Sequence, residues 1–424
     1  MSLMQRGDEP GREDGHQDTT VGKGSVLLDG IAELTTNDDE NGGRITDAAV
    51  VVEGDRLAWV GSAAAAPAAD RRVDLGGRAV LPGWVDSHTH MVFGGQRTAE
   101  FEARMSGQPY SAGGIGVTVR ATRAASDAEL AANLARLIGE ARRGGTTTIE
   151  TKTGYGLTVA DELRAARVAG RHVDTVTFLG AHIVPEGDDP DAYLDLVTGP
   201  MLDAVAPLVT AVDAFCETGA FDGAATRRVL ASARERGLAR RLHGNQLGHG
   251  PGVRLAVEYD ALSVDHVGFL TDDDVEALAS SWGAGTRGTV ATVLPACDLS
   301  TRMPLAPARR LLDAGAVVAI ATNCNPGTSF TTSMAFCVAT ATLQMGLSVR
   351  EAVRAATLGG AVALGMHEDG WRDPLGTPQP AVGVVRPGAR ADLQALDAPS
   401  IAHLAYRPGV PLTKAVWRAG VREV

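Results

Sequence analysis

The chain has 424 residues, 44% hydrophobic and 21% charged, the balance of a soluble globular enzyme rather than of a disordered chain. Its formal net charge of −12 argues against nucleic acid as a partner, because phosphate binding needs a basic footprint. Cys216, Cys297, Cys324 and Cys337 are widely spaced with no CxxC pair, which argues against a disulfide scaffold, and no run of 18 apolar residues suggests a membrane span.

Residues 1–20 lack the apolar stretch of a signal peptide and read as a disordered tail, so a cytoplasmic location is expected. Residues 21–81 contain short β-rich runs, VLLDG, AAVVVEGDRLAWVG and RRVDLGGRAVLPG, separated by Gly and Asp turns. The C-terminal residues 373–424 have the same texture in GVVRPGARADLQALD and TKAVWRAGVREV. The matching ends predict one small β-sandwich domain built from both, with a larger domain, residues 82–372, inserted between them.

Within 82–372, helical runs alternate with short apolar strands. SDAELAANLARLIGEARRG precedes TTTIETKTG; ADELRAARVAGRHV precedes VTFLGAH; DAYLDLVTGPMLDAVAPLV precedes VDAFCE; GAATRRVLASARERG precedes LARRLHGNQ. GVRLAVEYD, DDDVEALASSWGAG and APARRLLDAG then lead into SVDHV, TVATVLPA and VVAIATNCNPG. With the strand ahead of His88, about eight βα units result, the number that closes a (β/α)8 TIM barrel. A doubly wound open sheet is the competitor, but no GxGxxG or GxxxxGK phosphate loop is present.

In a barrel the chemistry gathers at the C-terminal ends of strands, and most strand runs here end in polar residues: His88 and His90, Glu150 with Lys152 and Tyr155, His182, Glu217, His243 and Gln246, Asp265 and His266, Asn323 and Asn325. A single histidine in such a place is more often structural than functional. Five of them at recurring strand ends argue for a site. His88 and His90 stand two residues apart, which on extended backbone points both imidazoles to one face. With His243 they would give three neutral nitrogens for one divalent metal, leaving room for water. Lys152, two residues from Glu150, is placed either to bridge two metals after carboxylation or to pair with a carboxylate, the reading preferred here.

At these residues the sequence resembles the imidazolonepropionases. LPGWVDSHTHMVFGGQRTAEFEARMSG, TTTIETKTGYGL, VTFLGAHIVPEG, VDAFCETGAF, LHGNQLGHGPGVRLA, SVDHVGFL and ATNCNPGTS match in order and spacing across residues 21–424. HTH by itself marks only the wider amidohydrolase superfamily; HTHxVFGGxR, TGYGL and NPGTS together are far more specific. The resemblance implies a (β/α)8 barrel carrying a small β domain, one zinc or iron ion, and metal-assisted hydrolysis of 4-imidazolone-5-propanoate to N-formimidoyl-L-glutamate in histidine degradation. It places the metal on His88, His90, His243 and the position of Asn323, and the substrate on Arg97, Tyr110, Tyr155, His182, Asn325, Gly327 and Thr328. His266 becomes the group that stabilises the attacked carbonyl, and Gln246 stands where relatives carry Glu or Gln. Arg97 suits the propanoate because guanidinium pairs with carboxylate; the alternative is an ion pair with Glu100 or Glu102. The resemblance also allows a homodimer.

One residue departs from the family pattern. The metal-binding aspartate is replaced by Asn323, which offers a carbonyl oxygen but neither a negative charge nor a base at neutral pH. With Gln246 also uncharged, slow turnover is expected. Two other functions compete: a deaminase or cyclic amidine hydrolase of the same superfamily, and a non-catalytic ligand-binding protein.

Overall fold

The computed structural model describes residues 24–39, 42–107, 114–283, 287–373 and 376–424. Four N-terminal strands, β1 (Ser25–Thr35), β2 (Arg44–Glu53), β3 (Arg56–Ser62) and β4 (Arg71–Pro82), precede eight short strands of a barrel. These are β5 (Trp84–Asp86), β6 (Thr146–Lys152), β7 (Thr175–Ala181), β8 (Ala211–Cys216), β9 (Ala239–Gly244), β10 (Ser263–His266), β11 (Val290–Val293) and β12 (Val318–Ile320). They pair in parallel and in chain order. β13 (Trp371–Arg372) and β14 (Pro378–Gln379) form a separate ribbon. β15 (Leu393–Leu396), β16 (Thr413–Arg418) and β17 (Val421–Arg422) return to β4, so both chain ends build one mixed seven-stranded sheet in the order β17-β16-β15-β4-β1-β2-β3.

The helices form where caps and apolar spacing agree. Asp127–Arg143 starts on a reciprocal capping box between Ser126 and Glu129 and buries Leu130, Leu134, Leu137, Ile138 and Ala141 on one face. Arg142 and Arg143 lie in its last turn, where cations suit the helix dipole. Thr158 and Asp222 cap the helices Val159–Ala169 and Gly223–Glu235 by accepting the backbone N–H of Asp161 and of Ala225. The run 191–209, read as one helical unit, is interrupted: Gly199 leaves helical geometry and Pro200 has no N–H to give, so Pro190–Leu196 and Leu202–Val205 are joined by a wide turn.

The seam that closes the barrel lies beyond the ends of β5 and β12. Thr89 bridges Cys324 in parallel, Asn323 N–H donates to the His88 carbonyl at 3.0 Å, and His90 N–H donates to the Cys324 carbonyl at 2.9 Å. Beneath it, Asp86 takes the Thr322 N–H at 3.0 Å and the Thr322 hydroxyl at 2.5 Å. Burial pushes the Asp86 carboxyl up to about 7 in spite of these bonds. At the other end, buried Asp174 joins barrel to sheet: it accepts from Ile149 N–H at 3.0 Å, from Arg390 at 3.2 Å and from Arg418 at 2.9 Å.

Candidate active site

The strand ends meet around one cavity, walled by His90, Arg97, Ile115, Tyr155, His182, Phe215, His243, Gln246, His266, Asn323, Asn325 and Thr328. Ten of the residues expected from sequence are therefore on one wall or another of a single cavity. His88 lies fully buried beside it. Gly327 is not on this wall; it lies behind Arg97, where a β-carbon at its position would stand 2.1 Å from Arg97 Nη1. Tyr110 lies outside the described residues.

At the floor, three imidazoles converge. His88 Nε2 is 3.2 Å from His90 Nε2, and His243 Nε2 is 3.3 Å from the same atom. His88 Nδ1 lies 2.7 Å from Asp265 Oδ2 and His243 Nδ1 lies 3.0 Å from Asp213 Oδ1. Each Nδ1 therefore carries the proton that its carboxylate accepts, and each Nε2 presents a lone pair. Two lone pairs face a third nitrogen, and one proton on His90 can serve only one of them. A single cation serves all three. Burial holds His88 down at about 3 and keeps His90 and His266 well below the usual histidine range, so these three rings are neutral, as ligation by His88 and His90 needs. The Asn323 side-chain oxygen, Oδ1, is buried with no hydrogen-bond partner, which suits a fourth, weak oxygen donor. The residues thus fit a divalent metal ion.

Each carboxylate behind a ligand is itself backed by a cation. Asp265 meets Arg241 at 3.2 Å, and Asp213 meets Lys152 at 3.0 Å, with Lys152 also on Glu150 at 2.9 Å. Burial alone would raise Asp213, but His243 and Lys152 overcome it and hold the carboxylate well below its ordinary value. Asp265 is held down likewise by Arg241 and His88. Lys152 is thus a paired, fully buried ammonium, as preferred from sequence. Asp213 and Arg241 went unremarked in the sequence because they sit within strands rather than at their ends. The available signal was a lone aspartate in the otherwise apolar AVDAFC.

Around the cavity, His182 Nδ1 lies 2.9 Å from the Gly154 carbonyl, so its Nε2 is left for a ligand. Glu217 accepts from the N–H groups of Gln246 and Leu247, both at 2.9 Å, and so fixes the loop after β9. The Asn325 amide, on the cavity wall, is held by bonds within its own loop. It donates to the Asn323 backbone carbonyl at 2.6 Å and to Thr328 Oγ1 at 2.8 Å, and accepts from Gly327 and Thr328 N–H, both at 2.8 Å. Cys297 lies behind Gln246, whose Nε2 is 3.9 Å from its sulfur.

Next to it, burial pushes the Asp298 carboxyl up to about 7 against the Ala306 N–H that it accepts at 3.1 Å. The folded value lies above the unfolded one, so the folded chain holds this proton more tightly and loses stability as pH rises from about 4 to 7. Asp298→Asn keeps an acceptor for Ala306. It is expected to melt with the parent at about pH 4 and above it at about pH 8. Superimposable melting curves at both pH values would contradict this.

No family model matches the chain. Whole-length relatives do. The chain is 66% identical over 398 residues to the imidazolonepropionase of Saccharopolyspora erythraea, spanning 94% of this chain and 98% of that protein. It is 60% identical over 407 residues to the imidazolonepropionase of Streptomyces coelicolor, spanning 94% and 99%. Among solved structures, an adenosine deaminase from Xanthomonas campestris with bound zinc shares the fold, with a TM-score of 0.68 at 22% identity over 94% of this chain and 92% of that one. Barrel, histidine triad and carboxylate-backed ligands define a metal-dependent hydrolase of the amidohydrolase superfamily. Identity on this scale, over nearly the whole of both chains, sets the narrower group: the chain belongs to the imidazolonepropionase family.

Proposed function

We propose that this protein hydrolyses 4-imidazolone-5-propanoate to N-formimidoyl-L-glutamate, the ring-opening step of histidine degradation. The carrying observation is the convergence of His88, His90 and His243 in a cavity that also holds Arg97, in a chain 66% identical to an imidazolonepropionase. A deaminase acting on an uncharged ring would give Arg97 nothing to bind beyond Glu100, with which it already pairs at 2.6 Å.

His88, His90 and His243 would hold the metal, with the Asn323 carbonyl as a weak further donor; a zinc or iron ion there polarises the lactam carbonyl and acidifies water. Arg97 takes the propanoate carboxylate. Tyr155 and His182 flank the ring, and Thr328 closes the carboxylate end. The Asn325 amide and Gly327 shape the loop that presents Thr328. His266, neutral through burial, donates an N–H to the carbonyl oxygen as negative charge grows on it. Water adds across the lactam C–N bond: hydroxyl goes to carbon, and a proton must reach the departing ring nitrogen. Gln246 and Asn323 orient this water but cannot accept its proton, so turnover is slow for this site.

No helix among the described residues is long and apolar enough to cross a membrane. A cytoplasmic location completes the proposal, supported by four cysteines that are all free thiols.

The test is hydrolysis of 4-imidazolone-5-propanoate with bound metal counted. Activity should fall on chelation and return with zinc or ferrous iron. A metal-loaded protein with no detectable turnover, also when Asn323 is replaced by Asp, would overturn the substrate.

A further inference from the structure

One face of the helix Thr98–Met105 and the residue that caps it carries Arg97, Glu100 and Arg104, spaced three and four apart. Glu100 grips Arg97 from the side: Arg97 Nε donates to Glu100 Oε2 at 2.7 Å and Nη2 to Oε1 at 2.6 Å. Nη1 makes no hydrogen bond to any described residue, and Arg97 walls the cavity. Arg104 approaches the same carboxylate at 3.7 Å and donates to the Gly327 carbonyl at 3.0 Å and to Ser300 at 3.3 Å. Two glycines leave the space: a β-carbon at Gly114 would stand 2.0 Å from Arg97 Nη2, and one at Gly327 would stand 2.1 Å from Nη1.

Two guanidiniums around one carboxylate leave a net charge of about +1. A side-on pair fixes the plane of Arg97 and engages one edge of it, so that a second carboxylate is offered only the end that carries Nη1. We infer that Glu100 is a positioning residue for substrate recognition, which orients Arg97 toward the propanoate while Arg104 keeps the cluster cationic and anchors Gly327. This rests on the reading of Arg97 as the propanoate group's partner. Without Glu100, Arg97 has a long flexible stem and no fixed plane, and carboxylate binding weakens even though the positive charge has grown.

The probes are 3-(imidazol-4-yl)propanoate and its primary amide, used as competitive inhibitors of the metal-loaded enzyme. The parent should prefer the acid. Glu100→Gln and Glu100→Ala should cut that preference by about tenfold or more, the scale of an oriented charged hydrogen bond. Amide inhibition should stay constant, and KM should move far more than kcat. Glu100→Asp, which keeps the charge, should recover part of the preference. Unchanged or increased preference in Glu100→Gln overturns the inference, and so does equal weakening of acid and amide, which marks a merely structural role. A parent enzyme that does not prefer the acid overturns the role of Arg97 itself and takes the inference with it.

Discussion

Asn323→Asp is expected to raise hydrolysis of 4-imidazolone-5-propanoate by about 10²–10⁴-fold, the usual worth of a positioned general base. Asn323 lies on the cavity wall with its side-chain Oδ1 buried and unpartnered, so a carboxylate there would reach the metal ion and the attacking water together. It would also add negative charge beside the three imidazoles and tighten metal binding. The fold should accept the change. Asn323 has a φ of +53°, a conformation that Asn and Asp both tolerate, and its backbone N–H, which donates to His88, is untouched. The check is to run both forms side by side with bound metal counted. Equal rates would mean that the proton travels by another path, with His266 the nearest candidate.

Lys152→Met is expected to cost about 3–5 kcal/mol of stability, because it leaves buried carboxylates unpaired. Lys152 is wholly buried and holds Glu150 at 2.9 Å and Asp213 at 3.0 Å. Asp213 in turn holds His243 through both its ring and its backbone N–H. Losing the ammonium therefore reaches the metal as well: affinity should drop about 10–100-fold, as when a carboxylate behind a ligating histidine is disturbed. Thermal unfolding and metal titration report the two effects separately. A variant with the parent's Tm and metal affinity would show that Lys152 supports neither.

The parts of the fold legible in sequence were those written locally. Ser126 with Glu129, and Thr271 with Asp274, stand three apart ahead of apolar faces, and both pairs form capping boxes. Polar residues at recurring strand ends led to the cavity, because βα repetition in a barrel brings those ends to one rim. What stayed hidden depends on partners far along the chain. Asp213 reads as one polar residue in an apolar strand until Lys152, two strands away on β6, and His243, on the adjacent β9, close on it. The Asn325 amide could not be assigned to its loop rather than to a ligand without the turn that brings Thr328 back to it. Nor does matching β texture at the two ends give the strand order in which they pair, with β15 beside β4 and β4 beside β1.

The barrel seam sets an order of events during synthesis. His88 and His90 follow the first barrel strand, yet their backbone is pinned by residues 323 and 324, after the last. His243 lies between them in the chain, and the sheet that receives β4 needs β15, β16 and β17. A nascent chain paused before residue 318 thus has three ligands and no frame to hold them. Full-affinity metal uptake is therefore expected only after release of nearly the whole polypeptide, when the ion would add its binding energy to a ring already shut.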